Sequence, residues 1–119
     1  MTDYSKLSDF EINLAVAHSV IGSGGYDWCS DKKEVYFAGL DGGEFLPNAY
    51  FDPCNNPADA WPIIVDNNIS VYAIFDGDKR GKWGAEGFNY NSPYYFNDNP
   101  LRAAMIVFLM MQDGSHANS

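Results

Sequence analysis

Three of the seven basic residues in this 119-residue chain, Lys79, Arg80 and Lys82, fall within four positions, and Trp83 follows directly. The rest of the chain is acidic, with 16 Asp and Glu and a net charge of −9. Such a knot suits contact with an acidic partner, with Trp83 as a buried anchor. Lys79, Arg80, Lys82 and Trp83 are therefore the partner-binding candidates. The competing reading is a solvated hairpin tip whose tryptophan folds back onto the core, the ordinary fate of exposed charges. The segment around them, Asp76 to Asn99, reads as a long loop, and long loops in compact domains are often functional or mobile.

Other groups could do chemistry, and each fails on spacing. Asp76-Gly77-Asp78-Lys79-Arg80-Gly81 fits a calcium loop at positions 1, 3 and 6. Position 5 is Arg80, however, and position 12 is Gly87 where a bidentate glutamate belongs. A hairpin turn is the better reading. Cys29, Cys54, His18 and His116 could supply zinc ligands, but none is paired at the two-to-four-residue spacing of structural sites. No metal and no cofactor is expected. A Cys–His dyad would need His18 as base, and a partly buried core histidine accounts for it better. A pocket around Cys54, Asp59 and Trp61 would be needed for a small hydrolase or ligand-binding protein. Gly22-Ser23-Gly24-Gly25 follows a helix, whereas phosphate loops follow a strand and open a helix. No catalytic residue emerges.

The elements that must position these residues show clear punctuation. Ser8-Asp9-Phe10-Glu11 is a capping box, with Leu7 and Ile12 at staple spacing. It predicts a helix from Asp9 to Val20, with Phe10, Leu14, Ala17 and Ile21 at helical spacing and the glycine cluster as its stop. Tyr26 to Phe51 reads as strands and turns: Val35-Tyr36-Phe37 favours a strand, Asp41-Gly42-Gly43 a turn, and Phe45-Leu46 the returning strand. A short helix follows Asn56-Pro57. Pro62 places its true start at an Asp59 cap. Trp61, Ile64 and Val65 would share its face, and Asp66-Asn67-Asn68 would end it. Ser70 to Phe75 is apolar on both faces and is expected centrally in a sheet. Phe88 and Tyr90 suggest one more strand, in an otherwise irregular stretch. Asn99-Pro100 repeats the cap-and-proline signature. Leu101 to Met111 then predicts a helix packed deep in the domain, with Gly114 as its C′ residue.

Length and charge bound the rest. A chain of this size forms one domain and exposes roughly 6,400 Å² when folded. The acidic balance lacks the basic footprint of duplex-DNA binding and disfavours anionic membranes. The longest apolar run, Ala103 to Met111, has nine residues, about half a membrane span. The start, Met1-Thr2-Asp3-Tyr4-Ser5, carries no targeting signal. Two cysteines are too few for a disulfide scaffold, so the chain reads as cytosolic with free thiols.

Three blocks carry a family resemblance. They are the opening Asp3-Tyr4-Ser5-Lys6-Leu7-Ser8-Asp9-Phe10-Glu11-Ile12-Asn13, the centre from Phe51-Asp52-Pro53-Cys54 through Trp61-Pro62-Ile63-Ile64, and Asn99-Pro100-Leu101-Arg102-Ala103-Ala104-Met105. Over nearly its whole length the chain resembles the phage NinX family of lambdoid phages and enterobacterial prophages. The resemblance implies a location in the cytoplasm of a bacterial host, and brings no activity and no catalytic residue. A weaker similarity is to small phage domains described as an α/β/α sandwich.

The combined expectation is a single α+β domain over residues 1–114 with a polar tail at 115–119. A small, mainly antiparallel sheet would be packed by an N-terminal, a short central and a C-terminal helix. The expected function is that of a non-enzymatic phage accessory protein that binds a host or phage protein. Two other classes stand beside it: an acidic DNA-mimic inhibitor, and a small ligand-binding protein or hydrolase. A supply of 19 aromatic residues also leaves self-association open.

Overall fold

The capping box closes as the sequence requires. Ser8 Oγ accepts the Glu11 amide at 3.1 Å, and the Glu11 carboxylate accepts the Ser8 amide at 2.9 Å. Helix α1 runs from Asp9 to Val20, and Gly22 follows at φ +89°. This computed structural model describes residues 3–38, 45–89 and 91–117, with the backbone alone at 45–49, 76–78 and 114–117. The Asp41–Gly43 turn and the Tyr90 strand position lie outside the described residues.

Six strands and two further helices follow. They are β1 (Tyr26–Cys29), β2 (Glu34–Ala38), β3 (Phe45–Tyr50), α2 (Pro57–Asp66), β4 (Ser70–Asp78), β5 (Gly81–Glu86), β6 (Tyr94–Asn97) and α3 (Pro100–Ala117). The fold is α+β, as expected, but the strands form two separate three-stranded antiparallel sheets, β1-β2-β3 and β4-β5-β6. The chain measures 46 × 33 × 24 Å and exposes 7447 Å², against the roughly 6,400 Å² of a compact domain of its size.

Helix α3 is the centre of the core. Every residue from Ala103 to Leu109 is buried. The second sheet packs on one side of it and α1 and α2 on others, so no turn of the helix faces water there. Asn99 caps it by accepting the Leu101 and Arg102 amides at 2.9 and 3.2 Å. The helix continues to Ala117, past the stop expected at Gly114. One helical glycine costs about 1 kcal/mol, too little to end a helix anchored upstream.

Four local expectations are corrected. The buried face of α1 is Ile12, Asn13, Val16 and Ala17, whereas Phe10, Leu14 and Ile21 are only partly buried. Apolar residues surround this helix, so spacing alone does not select a face. Helix α2 starts at Pro57 under an Asn56 cap, which accepts the Ala58 amide at 3.0 Å. Asp59 is inside the helix, and its carboxylate accepts the Asp52 amide at 2.9 Å. The buried face of α2 is Ala60, Ile63 and Ile64, and Trp61 is 62% exposed. Strand β4 is an edge strand. Its second apolar face is explained by Tyr72, whose ring lies over Gly84 of the neighbouring strand rather than under another layer.

Candidate functional site

Lys79 and Arg80 form the two-residue tip between the paired Asp78 and Gly81 of the β4–β5 hairpin. The long loop expected here is thus a tight turn entering a strand. Gly81 has φ +153°, and a Cβ on it would meet the Asn97 carbonyl carbon at 2.3 Å. Only glycine tolerates both the dihedral and the approach. The Lys82 amide donates to Asp98 Oδ1 at 3.1 Å. The β5 side of the turn is therefore fastened to the Asn97–Asp98 segment at the end of β6.

Lys79, Arg80 and Lys82 are all exposed. The Arg80 guanidinium stands over the Phe96 ring at 4.2 Å, a cation–π distance. Phe96 packs in turn with Tyr94, ring centroids 5.7 Å apart. Trp83 is half-buried on the opposite side of β5 from Lys82. It shares the face of Ala85, which is fully buried, because side chains alternate along a strand. The three bases are thus exposed at and beside the tip, with Trp83 on the opposite face of β5 from Lys82. Phe96 and Tyr94 are the aromatic companions of the cations. The run Tyr94-Tyr95-Phe96 is a strand signal by composition, masked by the Asn, Ser and Pro residues around it.

A second candidate is a cleft of about 470 Å³ between α1, β2 and the segment after β3, lined in part by Asp9, Phe10, Asn13, Lys33 and Asp52. Its floor is a polar junction. Asn13 Nδ2 donates to Asp52 Oδ1 at 2.7 Å, and Asn13 Oδ1 accepts the Cys54 amide at 3.0 Å. Arg102 donates to Asp9 Oδ1 at 2.7 Å and to the Leu7 carbonyl at 2.6 Å. Asn99 Nδ2 donates to the Cys54 carbonyl at 2.7 Å. Among the described residues no buried side-chain polar atom lacks a partner. The junction holds α1, the Asp52–Asn55 turn and α3 together.

This arrangement does not assemble a nucleophile. Cys54 is buried, its Sγ 3.9 Å from the Asp9 carbonyl oxygen. Burial pushes its thiol well above the usual range, and the Asp9 charge adds to this. Reactive cysteines need the opposite, an electropositive and accessible setting. His18 Nδ1 lies 3.0 Å from the Tyr26 hydroxyl. Asp59 is engaged with the Asp52 backbone and Trp61 faces out, so the Cys54, Asp59 and Trp61 pocket does not form. Cys29 and Cys54 are both free thiols. Among the described residues no group of three or more His, Cys, Asp or Glu could hold a metal ion, and no helix is long and apolar enough to cross a membrane.

The described aspartates are largely engaged in holding the chain. Asp3 accepts from Ser5, Asp9 pairs with Arg102, Asp52 accepts from Asn13, and Asp98 accepts from Lys82. Tyr4 donates to Asp113 across 109 positions of sequence. Asp9 and Asp52 are neighbours in the junction, where Asn55 Nδ2 donates to both, at 3.2 and 3.1 Å.

Three helices packed with two small antiparallel sheets make this a small α+β domain. A 2.0 Å crystal structure of a phage protein from Bacillus cereus ATCC 14579 shares this fold, with a TM-score of 0.63 over 95% of this chain and 93% of that one. The two are 17% identical, so the likeness is one of fold. The family described as Bacteriophage P22, NinX matches residues 3–112, and the chain belongs to that family. No curated protein matches it.

Proposed function

We propose that this NinX family protein is a non-enzymatic binding module of a phage or prophage, acting in the host cytoplasm on an acidic surface of a host or phage protein. The observation that carries this reading is the fastened hairpin tip. It presents Lys79, Arg80 and Lys82 from a chain of net charge −9, with Arg80 held over Phe96. Charges gathered on an exposed tip steer encounter and select partners more than they add affinity. The exposed position also makes the contact salt-sensitive, because the screening length is only about 8 Å at physiological ionic strength.

The test is affinity capture with mass spectrometry during phage growth, comparing the native protein with a Lys79→Glu, Arg80→Glu, Lys82→Glu variant. One or more proteins should be recovered by the native chain, lost with the variant, and weakened by raised salt. Identical recoveries from the two would refute the reading.

A further inference from the structure

We infer that the free edge of β6 receives an extended acidic segment of a protein partner, which adds a fourth strand to the β4-β5-β6 sheet. This deepens the binding reading above and rests on it.

The backbone supplies the first argument. Gly87 donates to the Pro93 carbonyl at 3.0 Å, which sets the phase of the β5–β6 ladder. With the register Ala85↔Tyr95 and Trp83↔Asn97, the hydrogen-bonded pairs are those of Tyr95 and Asn97. Tyr94 and Phe96 then direct their N–H and C=O groups away from β5. Among the described residues no other strand pairs with that side. Such an edge is a template for an incoming strand, and proteins use it to bind extended peptides.

The second argument is the cleft beside the edge. It has a volume of about 380 Å³ and is lined by Tyr94, Tyr95, Phe96, Asn97, Arg80 and Ser5. Four of these are the whole of β6, and none comes from β4 or from the body of β5. The cleft therefore lies alongside the strand, where an added strand would run at about 4.8 Å spacing.

Charge selects the occupant. Arg80 borders the Phe96 end of the cleft, whereas Glu86 is paired with Tyr94 at the other end. An incoming strand with Asp or Glu opposite Phe96 is favoured, and one with an acid opposite Tyr94 is not. The exposed ring of Tyr94 offers that second position an apolar contact.

The experiment uses the full chain. A displayed library of random twelve-residue peptides is selected on the immobilised protein, and hydrogen exchange is followed with and without the enriched peptides. The expected result is an acidic, alternating consensus that slows exchange of the Tyr94 and Phe96 amides at least tenfold. Peptides N-methylated at alternate residues should lose binding by tenfold or more. An acidic consensus that leaves these two amides unprotected, and binds equally well N-methylated, overturns strand addition and leaves the acidic-partner reading standing. Selection of no acidic consensus overturns both. A native protein that is already dimeric, with both amides protected before peptide is added, overturns the inference in favour of self-pairing.

Discussion

Replacing Asn13 with aspartate changes one atom of the junction and reverses its electrostatics. Asn13 is 6% exposed, and its Nδ2 donates to Asp52 Oδ1 at 2.7 Å. In Asn13→Asp an oxygen stands where that donor was, while the bond from the Cys54 amide is kept. Two unit charges about 4 Å apart at an effective dielectric near 20 repel by about 4 kcal/mol. The pair relieves this by sharing a proton, which raises one of its two titration steps by about three pH units. The sign follows from linkage. The folded state then holds a proton that the unfolded state releases near pH 4, so stability falls as pH rises from about 4 to about 7. Below that window the penalty vanishes. At pH 7 the variant should lose about 4 kcal/mol, close to 15 °C in Tm for a domain of this size. The control, Asn13→Ala, strands the Cys54 amide and should cost about 2–3 kcal/mol at both pH values. Thermal denaturation followed by circular dichroism at about pH 4 and about pH 7 measures all three proteins. An Asn13→Asp protein as stable as the native at pH 7, or destabilised equally at both pH values, would refute the geometry assigned to the junction.

Gly81→Ala should lower stability by about 2–4 kcal/mol, seen as a reduced urea midpoint, because the new methyl meets the Asn97 backbone at an unfavourable φ. A midpoint unchanged from native would mean that the tip is not fastened to β6. Thiol titration of the native protein should find Cys29 reactive and Cys54 silent until denaturant is added, since burial disfavours the Cys54 thiolate. Equal rates at both cysteines would contradict the buried placement. The hydrogen bond from Tyr36 to Glu34 pushes the Tyr36 phenol up to about 12. The stability linked to its neutral form is fully present below about pH 10 and is lost as pH rises from there through about 12. Burial and Glu86 also push the Tyr72 phenol up, so ultraviolet titration should show late tyrosines of which one moves down in Glu34→Gln; an unchanged curve would remove the assignment.

Much of the fold was legible because its signals are local. A capping box, an Asn-Pro helix start and an Asn stop each satisfy backbone groups within about four residues, so the chain carries the instruction next to the element it governs. Ser8 and Glu11 at α1, Asn99 at α3, and Asn68 at φ +53° after α2 all behave this way. Seven consecutive buried residues in α3 were equally readable, since a helix apolar on every side has to be enclosed. The composition of the hairpin tip was visible too, including the crowding of Lys79, Arg80 and Lys82 in an acidic chain.

Tertiary structure decided the rest, because it depends on which distant groups meet. Nothing near Asn13 in sequence says that it is buried. Its partners, Asp52 and Cys54, are 39 and 41 positions away. Arg102 finds Asp9 across 93 positions, which turns a helix-start acid into half of an ion pair. Among the described residues the strands of Ser70 to Asn97 pair only with one another, so β4 became an edge; Phe75, near the hairpin end of β4, is 89% exposed. The β5 pleat then separated Trp83 from the neighbouring cations, and β6 put Phe96 under Arg80 instead. Local sequence fixes caps and turns because their partners lie within one helical turn. Sheet edges, buried polar groups and cation–aromatic pairs are set by the three-dimensional meeting of segments that no short window contains.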